Sequence, residues 1–316
     1  MEQTITNFST IPNQEQGPIV KEFKKGRFPV YLIHKNGKPF IIKAFPYIED
    51  KISPNYLNEA RFSFLSHPNI VSINGCYEEA NFDFDCLGQR SSCIQMEYAP
   101  NGDFFDLCIT RRICMSDKLA RTYFHQLIDA LEYLHLNGVA HLDLKLHNLL
   151  LGAEYELKIT DFDLSHMQGD GKLISRGSKY YRAPELNVGC CIDPPSADIF
   201  AAGILLFVFK SRGVLPHTEN QSYKGIDLYG LMRNDNDKFW EVHAEIQKKP
   251  SEFFSKEFRE LFNSMTKTKA HERASIQDIK NSAWFNGPTY TKQELKEVME
   301  KKLMGKNSFD LQPSNS

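Results

Sequence analysis

The amino-acid sequence predicts an α+β protein of two lobes, a small antiparallel β-sheet lobe followed by a larger, mainly helical lobe. Three observations carry this prediction: an Asn-Gly turn between two apolar runs near the N-terminus, apolar residues at helical spacing in mid-chain, and a long apolar run beyond them. A length of 316 residues is sufficient for two lobes that share a cleft. We expect an N-terminal extension over residues 1–19, the small lobe over 20–98, the large lobe over 99–286, and a C-terminal helix with a disordered tail over 287–316.

The small lobe is predicted from strand-like runs. Phe28–His34 and Pro39–Phe45 flank Asn36-Gly37, and an Asn-Gly pair between apolar runs is a strong signal for a hairpin. A helix is predicted over Tyr56–Leu65, ending before Pro68 because the residue ahead of a proline is disfavoured in the α region. A second pair of strands, joined by an exposed polar loop over 78–91, is predicted over Val71–Tyr77 and Ser92–Tyr98.

The large lobe is predicted from helical periodicity. Apolar residues at i, i+3, i+4, i+7 and i+10 give one helix a buried face, namely Phe124, Leu127, Ile128, Leu131 and Leu134. Ile199–Phe209 is apolar on nearly all sides, as expected for a helix inside a lobe. The segment Lys292–Met304 carries an apolar face made of Leu295, Val298, Met299 and Leu303. We prefer packing of this face on the chain's own large lobe, with dimerisation and calmodulin binding left open.

Composition argues against several classes of function. The net charge is −2 without a strongly basic block, so nucleic acid is not an expected partner. The longest apolar run, Ile199–Phe209, is too short to cross a bilayer, and the first residues lack the order of a secretory signal. Seven cysteines without a C-x-x-C pair indicate a reduced, intracellular chain. We therefore expect a cytoplasmic protein with no membrane partner; a nuclear location and the oligomeric state stay open.

Residues 141–150, HLDLKLHNLL, place the chemistry of phosphoryl transfer on one short segment. That reaction requires a carboxylate beside the incoming hydroxyl, a cation near the phosphate, and oxygen ligands for Mg²⁺. Asp143, Lys145 and Asn148 have these chemistries, and Asp161 follows after a short predicted hairpin. Each residue alone would be an ordinary loop residue or cap, so the interpretation depends on the cluster.

The order of motifs along the chain resembles that of a eukaryotic protein kinase over roughly residues 20–286. HLDLKLHN resembles the catalytic loop H-R-D-L-K-x-x-N, and DFD at 161–163 stands where the family has D-F-G. Further similar segments are FIIK at 40–43, HPNI at 67–70, MEYAPNGD at 96–103, APE at 183–185, ADIFAAGILL at 197–206 and ERASIQDIKNSAWF at 272–285. The resemblance implies the bilobal protein-kinase fold and is closest in general character to the calcium/calmodulin-dependent group.

The resemblance implies a role for each polar residue of the cluster. Asp143 is the expected base for the substrate hydroxyl, and Lys145 is expected to steady the γ-phosphate of ATP, as in serine/threonine-specific kinases. Asn148 and Asp161 are the expected ligands of Mg²⁺, with Mn²⁺ as an alternative metal.

The resemblance also implies a nucleotide site in the cleft with a peptide-docking surface beside it. Lys43 is expected to pair with the α- and β-phosphates and with Glu59. The other residues expected at the nucleotide are Gly26, Ile41, Met96 as gatekeeper, Glu97, Tyr98, Ala99, Asp103 and Leu150. Protein substrate is expected to dock near Ser178–Glu185, with Ser178 bonded to the catalytic aspartate. Structural roles are implied for His141, Phe162 and the pair of Glu185 with Arg273.

Around the nucleotide the chain departs from the family's pattern. Only Gly26 remains of the glycine-rich loop; Lys24 and Pro29 replace the outer glycines, and proline has no N–H to offer a phosphate. Ile41 replaces the family's alanine on the same strand face as Lys43 and is expected to crowd the adenine. These changes predict a looser grip on ATP.

The glutamate and D-F-G positions also differ. Asn58 stands at the usual spacing of the helix glutamate, and Glu59 is one residue nearer HPNI, a slip of about 100° around a helix. We still expect Glu59 to pair with Lys43. Asp163 replaces a glycine; aspartate tolerates left-handed angles, so the loop is expected to keep its shape, and the added carboxylate predicts an altered metal preference.

The activation segment lacks the usual means of response to a phosphate. Leu142 replaces the arginine that clamps a phosphorylated segment in many kinases, and the usual phosphosite aligns with Ile174, next to Ser175. Activation by a single phosphate there is therefore not expected.

Three functions remain after these observations. The preferred one is an active serine/threonine kinase, because Lys43, Asp143, Lys145, Asn148 and Asp161 are all present. The alternative is a pseudokinase, a scaffold or allosteric module with weak or absent nucleotide binding. A phosphotransferase for small molecules is less favoured, since GSKYYRAPE at 177–185 resembles a peptide-docking segment.

Overall fold

The structure, a computed structural model, describes residues 19–23, 26–80, 90–171, 177–187, 189, 193–217 and 225–307. Several predictions of the sequence lie outside these residues: the extension over 1–18, Lys24, Ile174, Ser175, the middle of the polar loop at 81–89, and the tail from 308.

The small lobe is built on one antiparallel sheet with the strand order β1-β2-β3-β5-β4. Its elements are β1 (Ile19–Phe23), β2 (Val30–Lys35), β3 (Lys38–Pro46), α1 (Pro54–Ala60), β4 (Ile73–Ala80) and β5 (Ser91–Glu97). The predicted hairpin is confirmed: Lys35 pairs with Lys38, and Asn36 and Gly37 form a two-residue turn with φ of 52° and 74°. Two successive positive φ angles match the twist of the flanking strands, which explains the Asn-Gly pair.

Helix α1 is shorter than the sequence predicts. It ends at Ala60, not at Leu65, and the residues after it form tight turns, with Phe62 N donating to Glu59 O and Leu65 N to Phe62 O at 3.1 Å. The change in winding lets Phe62 and Leu65 enter the core of the large lobe. Tertiary packing therefore overrides the local helical preference here.

The large lobe is mainly helical, so the predicted α+β fold is confirmed. Its helices are α2 (Asp117–Leu136), α3 (Pro184–Asn187), α4 (Pro194–Lys210), α5 (Leu228–Asn234), α6 (Asn236–Ile246), α7 (Lys256–Met265), α8 (Ile276–Asn281) and α9 (Lys292–Asn307). Short strands carry the loops of the cleft: β6 (Val139–Ala140), β7 (Leu149–Leu151), β8 (Leu157–Ile159) and β9 (His166–Met167). Shorter helical turns lie at Asp106–Thr110, Leu146–Asn148, Ser251–Phe253 and Ala270–Glu272.

The two predicted core helices pack as the sequence indicates. The predicted apolar face of α2 is fully buried, and α4 is buried along nearly its whole length in the same core. The side chain of Ser116 accepts from Leu119 N and that of Asp193 from Ser196 N, which caps the first turns of α2 and α4. None of the helices in the described part of the chain is long and apolar enough to cross a membrane.

The C-terminal helix α9 packs on the large lobe of its own chain. Leu295 and Met299 are buried in the main core, and Leu303 is partly buried against it. The guanidinium of Arg121 fastens the approach to α9, because it donates to Trp284 O at 2.5 Å and to Pro288 O at 2.9 Å. Three of the four residues of the predicted apolar face are thereby covered within the molecule, and Val298 is half-buried.

Truncation of this face is expected to destabilise the protein. Met299→Ala removes a fully buried side chain from the core and should lower the free energy of unfolding by about 2–5 kcal/mol. Met304→Ala, in the same helix, removes a side chain that is 71% exposed and should change it by less than about 0.5 kcal/mol. Urea unfolding of both variants checks the difference; equal losses would contradict the docked arrangement.

Candidate active site

The loop at 141–148 is held in place by a buried carboxylate of α4. Asp198 of α4 is fully buried and accepts hydrogen bonds from the backbone N–H groups of His141 and Leu142, both at 2.8 Å, and its Oδ2 lies 3.0 Å from His135 Nε2. Leu142 has a φ of 63°, a costly angle for this residue type that these bonds stabilise. The sequence assigned no role to Asp198, although its segment ADIFAAGILL was singled out.

The Asp143 carboxylate is almost completely buried and has partners on both oxygens. Its Oδ1 accepts from the N–H of Ser178 at 2.7 Å and from the Ser178 hydroxyl at 2.8 Å. Its Oδ2 accepts from Lys145 Nζ at 2.5 Å and from Asn148 Nδ2 at 3.2 Å. The structure therefore brings the predicted catalytic residues together and connects them to the predicted docking segment.

Gly177 is required where the activation segment passes the catalytic loop. Its φ is 88°, and a Cβ at this position would lie 2.2 Å from the carbonyl oxygen of Leu142. Only glycine fits so close an approach of two backbones. The contact places Ser178 beside Asp143.

The ammonium of Lys43 joins three elements of the cleft. It lies 2.6 Å from Glu59 Oε2 in α1 and 2.5 Å from Asp161 Oδ1 after β8. Burial alone would lower the pKa of Lys43, but Glu59 and Asp161 raise it above its ordinary value, so the side chain stays cationic. Burial likewise opposes ionisation of Asp161, yet Lys43 holds the pKa of that carboxyl below its usual value.

Glu59 and Asn58 face two different partners. Glu59 contacts Lys43, and its Oε1 accepts from the N–H of Phe162 at 3.4 Å. Asn58 Nδ2 instead donates to the carbonyl oxygens of Asp163 at 2.8 Å and Ser165 at 3.0 Å. The one-residue slip therefore gives the asparagine a separate contact, one that the sequence did not indicate.

Asp163 differs from its sequence-based description. The left-handed residue of the motif is Asp161, with a φ of 71°, and Asp163 has an ordinary negative φ. The Asp163 Oδ2 accepts from Asn55 Nδ2 of α1 at 3.2 Å. Burial and the neighbouring Asp161 raise the pKa of Asp163. Its carboxylate is thus engaged with the small lobe, whereas the predicted change in metal preference stays a prediction.

Asn148 and Asp161 have the chemistry that Mg²⁺ requires. Asn148 Nδ2 donates to the carbonyl oxygen of Asp143 at 2.9 Å, which leaves the amide oxygen as the atom for a cation. Asp161 supplies an ionised carboxylate whose side chain is 30% exposed. In the described part of the chain, no group of three or more His, Cys, Asp and Glu side chains could hold a metal alone. Two protein ligands suit Mg²⁺, which keeps several waters and binds substrate phosphates.

The predicted nucleotide site has an apolar lining drawn from both lobes. Ile41, Met96 and Leu150 belong to one cluster with Phe28, whose ring centroid lies 4.6 Å from that of Phe45. Lys43 Nζ lies 5.7 Å from the centroid of the Phe28 ring. Phe28 was predicted only as part of a strand, yet its ring lies on the face of the sheet that carries Lys43.

The remaining predicted nucleotide residues lie in two places. Gly26 is in the turn between β1 and β2, and the others are in or just after β5, where the chain passes from the small lobe to the large lobe. Gly26 has a φ of 134° in the turn between β1 and β2, and Tyr98 and Ala99 directly follow β5. Asp103 pairs with Leu150 through the backbone, and its Oδ1 accepts from Asp106 N at 2.6 Å. The Glu97 Oε1 accepts from Lys158 Nζ at 2.9 Å and from Ser72 N at 3.0 Å, so the carboxylate is engaged by residues outside the nucleotide site.

The residues predicted to be structural have structural contacts. The rings of His141 and Phe162 lie 5.0 Å apart. Arg273 binds both carboxylate oxygens of Glu185, at 2.5 and 2.6 Å, and also donates to Ser196 O at 3.0 Å. The pair connects the end of the predicted docking segment to α4.

Comparisons with known proteins agree with this geometry. A family model described as the protein kinase domain matches residues 26–285. The chain is similar to NUAK family SNF1-like kinase 1 of Homo sapiens, at 32% identity over 226 residues, which cover 71% of this chain and 30% of that protein. It is also similar to CBL-interacting serine/threonine-protein kinase 24 of Arabidopsis thaliana, at 34% identity over 70% of this chain and 45% of that protein. The carbon catabolite-derepressing protein kinase of Secale cereale is 29% identical over 82% of this chain and 47% of that protein. The chain spans less than half the length of these relatives.

Loss of Arg273 is expected to destabilise the large lobe. The Arg273 side chain is 1% exposed, and Arg273→Ala leaves the Glu185 carboxylate largely buried without its cation, at a cost of about 3–5 kcal/mol. The control is Lys238→Ala: Lys238 and Glu241 are 53% and 62% exposed, and this change should cost less than about 1 kcal/mol. Thermal unfolding of the two variants measures both effects, and a loss at Arg273 no larger than at Lys238 would contradict this account.

Proposed function

The chain belongs to the protein kinase family, and on that premise we propose that it transfers the γ-phosphate of ATP to serine or threonine hydroxyls of proteins. The observation that carries the proposal is the set of contacts around Asp143. Its carboxylate is buried, is held by Ser178 on one oxygen, and has Lys145 and Asn148 on the other. Such a group is fixed beside the position of an incoming hydroxyl.

The residues of the cleft have distinct roles in the proposed reaction. The substrate hydroxyl attacks the γ-phosphorus and gives its proton to Asp143, while the bond to ADP breaks. Lys145, 2.5 Å from Asp143 Oδ2, carries a positive charge beside that position. Lys43 is held by Glu59 to face the α- and β-phosphates. Bound Mg²⁺, held by Asn148 and Asp161, would neutralise phosphate charge.

Two observations favour serine or threonine over tyrosine as the acceptor. Lys145 stands two residues after Asp143, as in the serine/threonine branch, and contacts it directly. One of the relatives is itself named a serine/threonine-protein kinase. We place the docked peptide along Ser178–Glu185, where Ser178 connects the substrate segment to Asp143.

The first experiment is a transfer assay with labelled ATP, a generic serine/threonine substrate, and either Mg²⁺ or Mn²⁺. We expect transfer by the wild-type chain and a loss of about 10²- to 10⁴-fold in Asp143→Asn, because that change removes the base and keeps the shape of the side chain. Comparison of the two metals also tests the role predicted for Asp163.

Absence of transfer would contradict the proposal, and a thermal shift with ATP in the same samples separates the remaining functions. Stabilisation by ATP without transfer would favour a nucleotide-sensing pseudokinase. No stabilisation would favour a scaffold that uses only the surface of the fold. An equal rate in wild type and Asp143→Asn would attribute the transfer to a contaminant.

The apolar lining of the cleft generates a second test. Ile41 packs with Phe28, Met96 and Leu150, so Ile41→Ala should open space for adenine and lower the Kd for ATP roughly threefold to tenfold. Ile42→Val is the matched control: Ile42 is buried on the opposite face of β3, and its truncation should affect stability alone. ATP titrations of both variants check this, and weaker binding in Ile41→Ala would show that Ile41 contributes a favourable contact.

A further inference from the structure

We propose that three residues of the small lobe, Asn55, Asn58 and Arg61, are positioning residues that hold residues 161–170 in the reactive arrangement without a phosphate on the activation segment. Residues 161–185 form that segment, and the inference rests on the proposed kinase function. The three residues belong to α1 and the turn after it. Their contacts reach three successive parts of the segment.

Asn58 fixes the curvature of the D-F-D loop. Its Nδ2 donates to the carbonyl oxygens of Phe162 at 3.4 Å, Asp163 at 2.8 Å and Ser165 at 3.0 Å. These carbonyls converge on one amide group only when the chain at 162–165 turns back on itself. A single side chain therefore selects one shape of the loop that carries Asp161.

Asn55 binds the side chain of Asp163 in the same loop. Residues 55, 58 and 59 lie at i, i+3 and i+4, so they share one face of α1. On that face Asn55 Nδ2 donates to Asp163 Oδ2 at 3.2 Å, and Glu59 binds Lys43. The contact needs a side-chain oxygen at 163, and the glycine of the family's motif could not make it.

Arg61 fastens the segment beyond the loop. Its guanidinium binds Asp170 through two parallel bonds, Nη1 to Oδ1 at 2.9 Å and Nη2 to Oδ2 at 2.5 Å. Asp170 also accepts from the N–H of Met167 at 2.9 Å, so the arginine holds a closed turn of backbone. The bond to Arg61 lowers the pKa of Asp170 to about 2, which keeps the carboxylate ionised at neutral pH.

The catalytic loop offers no cation at the position where many kinases have an arginine. Leu142 stands there, buried, and an apolar side chain cannot bind a phosphate. The far part of the segment is instead held by Asp143, which accepts from the N–H and hydroxyl of Ser178. Contacts made of unmodified residues thus hold the segment at both 161–170 and 177–178.

The contacts of Asn55 and Asn58 affect the reaction through the orientation of Asp161. Asp161 must face Lys43 and the metal, and its direction is set by the loop that Asn58 and Asn55 hold. Loss of these contacts should lower kcat and raise the requirement for Mg²⁺. The KM for peptide should stay unchanged, because the peptide docks along Ser178–Glu185.

The first test compares Asn58→Leu with Leu57→Ala after phosphatase treatment of every sample. Asn58→Leu keeps the size of the side chain and removes its donor, so we expect kcat to fall roughly 10- to 100-fold with an unchanged KM for peptide. Leu57 lies in the same helix, is 49% exposed, and serves as the control with wild-type kcat. Dephosphorylated wild type should be active.

The second test exchanges donor and acceptor between α1 and the loop. Asn55→Asp places two carboxylates 3.2 Å apart, and we expect kcat to fall about tenfold. In Asn55→Asp/Asp163→Asn the amide at 163 can donate to the carboxylate at 55, so kcat should return to within about threefold of wild type. Additive losses instead of rescue would show that the side chains at 55 and 163 are not coupled and would overturn this part of the inference.

Hydrogen exchange separates failure of this inference from failure of the proposed function. Amides of 161–170 should be protected in dephosphorylated wild type and exchange faster in Asn58→Leu, whether or not the protein transfers phosphate. Equal exchange in the two proteins would overturn the inference, as would a wild type that is active only when phosphorylated. Protection at 161–170 without transfer would support the role of the three positioning residues and contradict the kinase function alone.

Discussion

The ammonium of Lys43 lies between the carboxylates of Glu59 and Asp161, and the arrangement of the cleft depends on that contact. It is the point where a strand of the small lobe, its helix α1, and the loop after β8 meet. Because the cation is buried, it needs at least one of these carboxylates as a partner, and an unpaired buried charge would cost about 3–5 kcal/mol. The contact therefore connects the small lobe to the loop after β8 through charge, in addition to the apolar packing of the cleft.

A second buried carboxylate performs the corresponding task in the large lobe. Asp198 orients the backbone of His141 and Leu142, and this sets the orientation of the Asp143 side chain that follows them. The two centres are coupled through Phe162, whose N–H faces Glu59 and whose ring lies against His141. The proposed base, Asp143, and the proposed metal ligands, Asn148 and Asp161, thus belong to one connected set of hydrogen bonds and ion pairs.

The sequence predicted what depends on local order along the chain. Asn36-Gly37 predicted a hairpin, and the spacing from Phe124 to Leu134 predicted a buried helix face. Asp143, Lys145 and Asn148 lie close together because only a few residues separate them along the chain. The long-range contacts that were predicted came from the family resemblance, namely Lys43 with Glu59, Ser178 with Asp143 and Glu185 with Arg273. Other long-range contacts were missed: Asn58 with the carbonyls of 162–165, Asp198 with the catalytic loop, and the Phe28 ring near Lys43. No local pattern encodes them, since each needs the tertiary arrangement that brings its partner near.

The departures from the family's pattern at Asn58, Leu142 and Asp163 are related to one another. A glycine in the third position of the motif gives the loop access to many backbone conformations, and aspartate removes most of them before any contact forms. In this chain the aspartate also accepts from Asn55, and its carbonyl accepts from Asn58. A loop with fewer conformations and more bonds to α1 has less need of an added phosphate to become ordered. The buried Leu142 agrees with this, because an apolar side chain at that position cannot bind a phosphate. The residues that weaken the resemblance to a switchable kinase, Asn58, Leu142 and Asp163, are thus also the ones that favour the proposed arrangement of 161–170.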